Sequence, residues 1–163
     1  MALDSAVAQF MAEKGIAHTA IDCDPALADT ADFCAHYGYA PEQSANALLV
    51  ASSKGEPKQA MCLVLANCRL DVNKVVRKKL GVRRISFAPP EVTREVTGME
   101  LGGVTPFGLP ESLPIWVDAR VMACEQIIVG GGNRSSKIVM PPDGLLLIDA
   151  VEVVDGLANP IAG

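Results

Sequence analysis

Leu48-Leu49-Val50-Ala51-Ser52 and Ala60-Met61-Cys62-Leu63-Val64-Leu65-Ala66 flank the turn sequence Lys54-Gly55-Glu56-Pro57. Two apolar runs around a Gly/Pro turn predict an antiparallel hairpin. Toward the N-terminus, Ser5 to Lys14 reads as a helix ended by Gly15, with Val7, Phe10, Met11 and Lys14 at helical spacing. Ala17 to Ile21 reads as a short strand. Asp29 or Thr30 caps a helix running to Tyr37 and ended by Gly38, and Pro41 opens a further turn or two through Ala45. Beyond the hairpin, Asp71 caps a helix ended by Gly81, Arg84 to Phe87 is a strand, and Pro90 to Thr97 is a short helix stopped by Gly98. Ile115 to Asp118 and Gln126 to Val129 read as strands, Pro141-Pro142-Asp143 opens a last short helix, and Val151 to Val154 is a last strand. Short helices among at least five strands, with a hairpin, predict an α+β fold on a mostly antiparallel sheet. The strand–helix alternation of a doubly wound fold is absent. Trp116 and Phe87 read as core rather than as platforms for stacked bases.

The 163 residues predict one domain, 1–163, able to bury its own core. Hydrophobic residues make up 50% and charged residues 20%, the balance of a compact globule. No apolar run reaches membrane-spanning length, and Met1 to Lys14 lacks the pattern of a signal peptide. The five cysteines, Cys23, Cys34, Cys62, Cys68 and Cys124, form no C-x-x-C, which points to a reducing cytoplasm rather than a disulfide framework. With only His18 and His36, a closed zinc site is not expected. Net charge is −5, yet Lys74 to Arg84 holds six of the 14 basic residues and no acid. That stretch reads either as a phosphate-contacting patch or as a solvated helix face with cations near its C-terminus.

Two glycine-centred loops carry the functional signal. One is Gly102-Gly103-Val104-Thr105-Pro106-Phe107-Gly108; the other is Gly130-Gly131-Gly132-Asn133-Arg134-Ser135-Ser136-Lys137, after the apolar run Ile127-Ile128-Val129. Glycine lets backbone N–H groups come close to a ligand, and main-chain donors suit an anion or a developing oxyanion. The plain alternative is two tight turns between strands. Neither loop has P-loop or G-x-G-x-x-G spacing, so nucleotide cofactors are not expected.

In order along the chain, Leu48-Leu49-Val50, Leu70-Asp71-Val72-Asn73-Lys74 to Leu80-Gly81, Thr97-Gly98 with the 102–108 loop, and Val129 to Arg134 resemble the YbaK/ProX family of aminoacyl-tRNA deacylases. These are free-standing relatives of the editing domain of prolyl-tRNA synthetase, and the likeness covers roughly residues 5 to 155. It implies a curved, barrel-like sheet, a mischarged aminoacyl-tRNA as partner, no metal or other cofactor and no membrane. It leaves room for a synthetase partner and leaves the oligomeric state open. The implied activity is trans-editing in the cytoplasm, hydrolysing an aminoacyl ester of a small amino acid. An aminoacyl ester is already activated, so a positioned water or the neighbouring ribose hydroxyl can attack it. The protein then supplies placement and oxyanion stabilisation.

On that reading Gly102, Gly103 and Thr105 form the oxyanion and carbonyl pocket. Val104, Pro106, Gly131, Gly132, Ser135 and Lys137 face the substrate. Lys74, Arg77, Lys78 and Arg134 meet phosphates; the plain alternative for Arg134 and Lys137 is that they only keep the loop soluble. His18 either faces the pocket or stands half-exposed on its strand. The family's usual lysine before the Leu-Leu-Val strand is Asn46 here, which keeps a donor and an acceptor but not the charge. Asn46 would then orient the ester or the terminal ribose. Lys137 or Lys74 could replace the charge. A non-catalytic module binding aminoacyl-tRNA or another small ligand is the alternative, and a thiol hydrolase using a cysteine with His18 is a third reading.

Overall fold

The structure, a computed structural model, describes residues 3–53 and 58–161. Helix α1 (Ser5–Lys14) starts where the Asp4 carboxylate accepts the amides of Ala6 and Val7, and ends at Gly15. It lays Val7 and Met11 into the core. Strand β1 (Thr19–Asp22) leads to a single tight turn at Pro25–Leu27 and helix α2 (Thr30–Tyr37), which ends at Gly38. The helix expected from Pro41 is one turn only, Pro41–Gln43, because strand β2 (Ala45–Ser52) already begins at Ala45.

Strand β3 (Gln59–Leu65) pairs antiparallel with β2, Asn46 opposite Val64 and Leu48 opposite Cys62. The predicted hairpin is therefore present, although its Lys54–Pro57 turn lies outside the described residues. Strand β4 (Cys68–Leu70) follows. The basic helix then forms as expected from Asp71 to Gly81, but its first turn, Val72–Val76, is a π-turn in which Val76 N–H reaches Asp71 O at 3.1 Å. It continues as α3 (Arg77–Leu80). Strand β5 (Ile85–Phe87) and helix α4 (Pro90–Thr97) come next. After the first glycine loop come β6 (Ile115–Asp118), α5 (Ala119–Met122), β7 (Ile127–Gly130) and β8 (Ser136–Met140). The helix expected after Pro141 is a 3₁₀ segment, Pro142–Leu147, followed by β9 (Val151–Val154) and β10 (Ala158–Pro160).

The strands form a five-stranded sheet in the order β5-β2-β3-β6-β9, a three-stranded sheet β1-β8-β7 and the pair β10-β4. Five of the seven pairings are antiparallel; β3–β6 and β6–β9 are parallel. A bridge between Ser44 and Ile128 brings the start of β2 beside β7, so the two larger sheets curve around a common core without closing into a barrel. That core holds Met61, Leu63, Val117, Ile127, Ile138 and Phe107, all buried. Trp116 is buried as expected, whereas Phe87 is 52% exposed, because it ends the edge strand β5 and has no sheet neighbour beyond it. No helix among the described residues is long and apolar enough to cross a membrane.

Candidate active site

Where the curved sheets meet, a cavity of about 390 Å³ opens between α2, the start of β2, the first glycine loop and the β7–β8 hairpin. This size suits a small ligand group. Its apolar side is formed by Phe33, Leu49, Ile128 and Val129. Phe33 is held in place by Tyr39, stacked at 5.5 Å, and by Tyr37 at 4.8 Å. Tyr37 is fixed in turn by accepting the Asp24 amide at 2.9 Å.

Its polar side is built by Asn46, Thr30 and Lys137, with Gly102 and Val104 of the first glycine loop beside them. The Thr30 hydroxyl donates to Asn46 Oδ1 at 2.7 Å. That bond fixes the carboxamide and leaves Nδ2 without an acceptor among the described residues. Lys137 comes from β8 with only 7% of its surface exposed. Its Nζ donates to Ala28 O and Gly102 O, both at 2.8 Å, and lies 5.5 Å from the Phe33 ring centre. Burial pulls the lysine pKa down from its ordinary value, with Cys23 and Asp29 opposing that shift and Arg134 adding to it. An ammonium has three N–H donors, so two carbonyls leave one for a ligand.

The two glycine loops are packed backbone to backbone. Gly132 N–H donates to Gly103 O at 2.7 Å, Glu100 N–H to Gly132 O at 3.2 Å, and Gly103 N–H to Glu100 O at 3.0 Å. The N–H groups of Gly102 and Val104 donate to nothing among the described residues. Each belongs to a peptide whose carbonyl is itself a strong acceptor: Leu101 O takes a bond from Arg134 Nη1 at 2.9 Å, and Gly103 O takes the bond from Gly132. Hydrogen bonds in series polarise one another, so these two free amides are strengthened donors.

Several expected site residues occupy other places. Gly103 does not line the cavity, and its N–H is engaged by Glu100; its contribution is the close approach to Asn133. Thr105 and Pro106 are buried, and the Thr105 hydroxyl has no partner among the described residues. Gly131 and Gly132 pack against the start of the chain, Gly131 O accepting the Asp4 amide at 3.0 Å. Ser135 Oγ is turned to Asn133 Oδ1 at 3.2 Å. His18 is exposed, with Nδ1 2.8 Å from Ile16 O, and does not line the cavity. Two of the three guanidinium nitrogens of Arg134 are engaged within the protein. Its Nε donates to Pro25 O at 3.0 Å and its Nη1 to Asp29 Oδ1 at 3.2 Å and to Leu101 O. Arg134 and Lys137 thus both clasp the 25–29 segment to the 101–102 turn. Lys74 and Lys78 stand exposed on the basic helix, while Arg77 Nε turns back to Asn73 O at 2.8 Å. None of the three lines the cavity.

Thr30, Phe33 and Ile128 were not expected at the site. Thr30 read only as a helix cap, and the two apolar residues carry no signal that separates a cavity wall from core. No cysteine lines the cavity, and burial pushes the Cys62 thiol up to about 12, which leaves the thiol-hydrolase reading without a nucleophile here. No group of three or more His, Cys, Asp or Glu among the described residues is placed to hold a metal ion. Because the Thr105 hydroxyl is buried and unpartnered, Thr105→Val should melt at or above the wild-type temperature and keep its ligand affinity. Lost affinity in a folded variant would return the hydroxyl to the site.

Comparisons with known proteins bear on this geometry. Residues 24–147 match the model of the aminoacyl-tRNA editing domain. The uncharacterized protein YwhH of Bacillus subtilis (strain 168) is 33% identical over 94 residues, which is 58% of this chain and 59% of that protein's length. Among solved structures, the hypothetical protein APE2540 superimposes with a TM-score of 0.83 at 19% identity, over 95% of this chain and all (100%) of that one. A proposed trans-editing enzyme for prolyl tRNA synthetase superimposes with a TM-score of 0.80 at 22% identity, over 98% of this chain and 100% of its own. At these identities the structural matches establish a shared fold.

Proposed function

The chain belongs to the aminoacyl-tRNA editing domain family, and from that premise we propose that it hydrolyses the ester of a mischarged aminoacyl-tRNA carrying a small amino acid, acting in trans in the cytoplasm. The observation that carries this reading is a single cavity lined by one buried lysine, one hydrogen-bonded carboxamide and two residues, Gly102 and Val104, whose amides are unpartnered among the described residues. The amino-acid side chain lies against Phe33, Leu49 and Ile128. Their fixed packing supports selection by size, which a hydrophobic pocket performs coarsely, at roughly 10- to 200-fold per methylene. The ester carbonyl faces Lys137 Nζ and the N–H groups of Gly102 and Val104, and Asn46 Nδ2 holds the terminal ribose.

A water attacks the carbonyl carbon. The tetrahedral oxyanion is stabilised by Lys137 and the two amides. Collapse breaks the carbon–oxygen bond to the ribose. The proton from the water passes to the leaving ribose oxygen through the neighbouring ribose hydroxyl, releasing a free amino acid and a deacylated tRNA. In this account the cation usually supplied from the position of Asn46 on β2 comes instead from Lys137 on β8, across the same cavity.

A second reading, a binding module without turnover, is favoured by one observation: the residue at position 46 is an amide, not an amine. A panel of tRNAs carrying Ala, Ser, Thr, Cys or Pro, assayed with and without EDTA, tests the proposal. The expected result is release of at least one small amino acid, unaffected by EDTA. Activity lost to EDTA and restored by zinc would overturn the mechanism, and protection of the ester in the complex would favour the binding module.

A further inference from the structure

A second groove, of about 1030 Å³, runs from the mouth of the cavity between β5 and the β4–β10 pair. The two hollows adjoin at Leu48 and Phe87, which line both. Phe87, 52% exposed, lines both hollows, and Ile161, 53% exposed, also lines the groove. Arg69 also lines the groove; it is exposed, and its guanidinium has no ion-pair or hydrogen-bond partner among the described residues. The acid in the groove, Asp71, is already engaged: Oδ1 accepts the Lys74 amide at 3.1 Å and Oδ2 the Asn159 amide group at 3.5 Å. Val72 and Asn73, the first residues of the basic helix, form the far rim, and the exposed Lys74 follows them.

We propose that this groove binds single-stranded RNA, namely the unpaired nucleotides that precede the terminal adenosine of the acceptor end. One base stacks on Phe87 and an adjoining phosphate sits on Arg69. The proposal rests on the reading that the cavity takes the aminoacylated terminus. A chain whose end is in the cavity can leave past Phe87, where the groove offers it an exposed aromatic residue and an unpaired guanidinium. Stacking on an aromatic ring accepts any base, and a cationic track follows the backbone, which is the usual chemistry of single-strand binding. Val72 and Asn73 of the π-turn line the groove, and the exposed Lys74 and Lys78 follow them along the basic helix.

The test uses a fluorescent seven-nucleotide single-stranded RNA without an amino acid, read by anisotropy. Phe87→Ala should weaken binding about tenfold, and Phe87→Trp should restore it. Arg69→Ala should weaken binding and flatten its salt dependence by about 0.7 in log–log slope. It should leave hydrolysis of the small substrate aminoacyl-adenosine unchanged while lowering that of aminoacyl-tRNA. Wild-type protein that does not bind the RNA, or variants that bind it as wild type does, would overturn the groove assignment. RNA binding that depends on Phe87, in a protein that hydrolyses no aminoacyl ester, would sustain the groove and overturn the hydrolytic reading alone.

Discussion

Lys137→Met is expected to slow hydrolysis of the preferred aminoacyl ester by about 10²-fold or more, the usual cost of removing one preorganised charge or donor from an oxyanion site. The fold should survive. Methionine fills similar volume beside Phe33, and a buried charge contributes little net stability because its desolvation offsets its attractions. The carbonyls of Ala28 and Gly102 border the cavity and can turn to water there. The melting temperature should therefore stay within about 4 °C of wild type, roughly 1 kcal/mol for a chain of this size. The charge can also be followed by pH. Burial lowers the pKa of Lys137, so the ammonium is present below the lowered value and lost above it. Activity, normalised to spontaneous ester hydrolysis, should fall on an alkaline limb that lies below the ordinary lysine value of 10.5. Adding Asn46→Lys to Lys137→Met moves the amine from β8 to β2 and should recover part of the rate. A double variant as slow as the single one would mean that the two positions do not serve the same atom.

The second large effect is on stability. Gly103→Ala is expected to cost about 3 kcal/mol or more, since a side chain there enters the opposing loop rather than open space. A Cβ at Gly103 would meet the Asn133 backbone, at 2.5 Å from its carbonyl carbon and 2.8 Å from its nitrogen. Backbone cannot rotate out of the way. The loops would separate, and with them the Gly132-to-Gly103 bond that polarises the Val104 amide. The fall in melting temperature should be about 6 to 12 °C by the same size scaling. Gly81→Ala is the control: its φ of +68° strains a side chain, but nothing lies within 4 Å of the added carbon. It should cost about 1 kcal/mol. Equal losses in the two variants would show that backbone conformation, not the meeting of the loops, accounts for the glycine.

Where the sequence could be read, the signals were local. Helix α4 lies between Pro90 and Gly98, and α1 between Asp4 and Gly15, so their ends are written in adjacent residues. Strand β6 is a short apolar run closed by Asp118, and β9 is three β-branched valines around Glu152, neither with a competing helical pattern. Strand β8 was not legible because Ser136 and Lys137 break the apolar alternation. Lys137 is tolerated inside only by carbonyls 109 and 35 positions away, which no local window contains. Strands β4 and β10 are three residues each and are defined by each other across most of the chain. The loops that border the site were recognisable from their glycines and their order. Which amides remained free was not, because that depends on Glu100 turning to Gly103 and Arg134 turning to Leu101. Arg134 is ambiguous for the same reason: an arginine in a glycine loop reads identically whether it meets a phosphate, faces solvent or fastens two segments.

The central claim is that this cavity breaks the ester rather than merely holding it. The most direct measurement is single-turnover release of amino acid, with the protein in excess over each aminoacyl-tRNA of the panel, beside the spontaneous rate in the same buffer. The account predicts release well above the spontaneous rate for at least one small amino acid, and its loss in folded Lys137→Met. A saturating excess of wild-type protein that never exceeds spontaneous hydrolysis, or a Lys137→Met protein as fast as wild type, would contradict it.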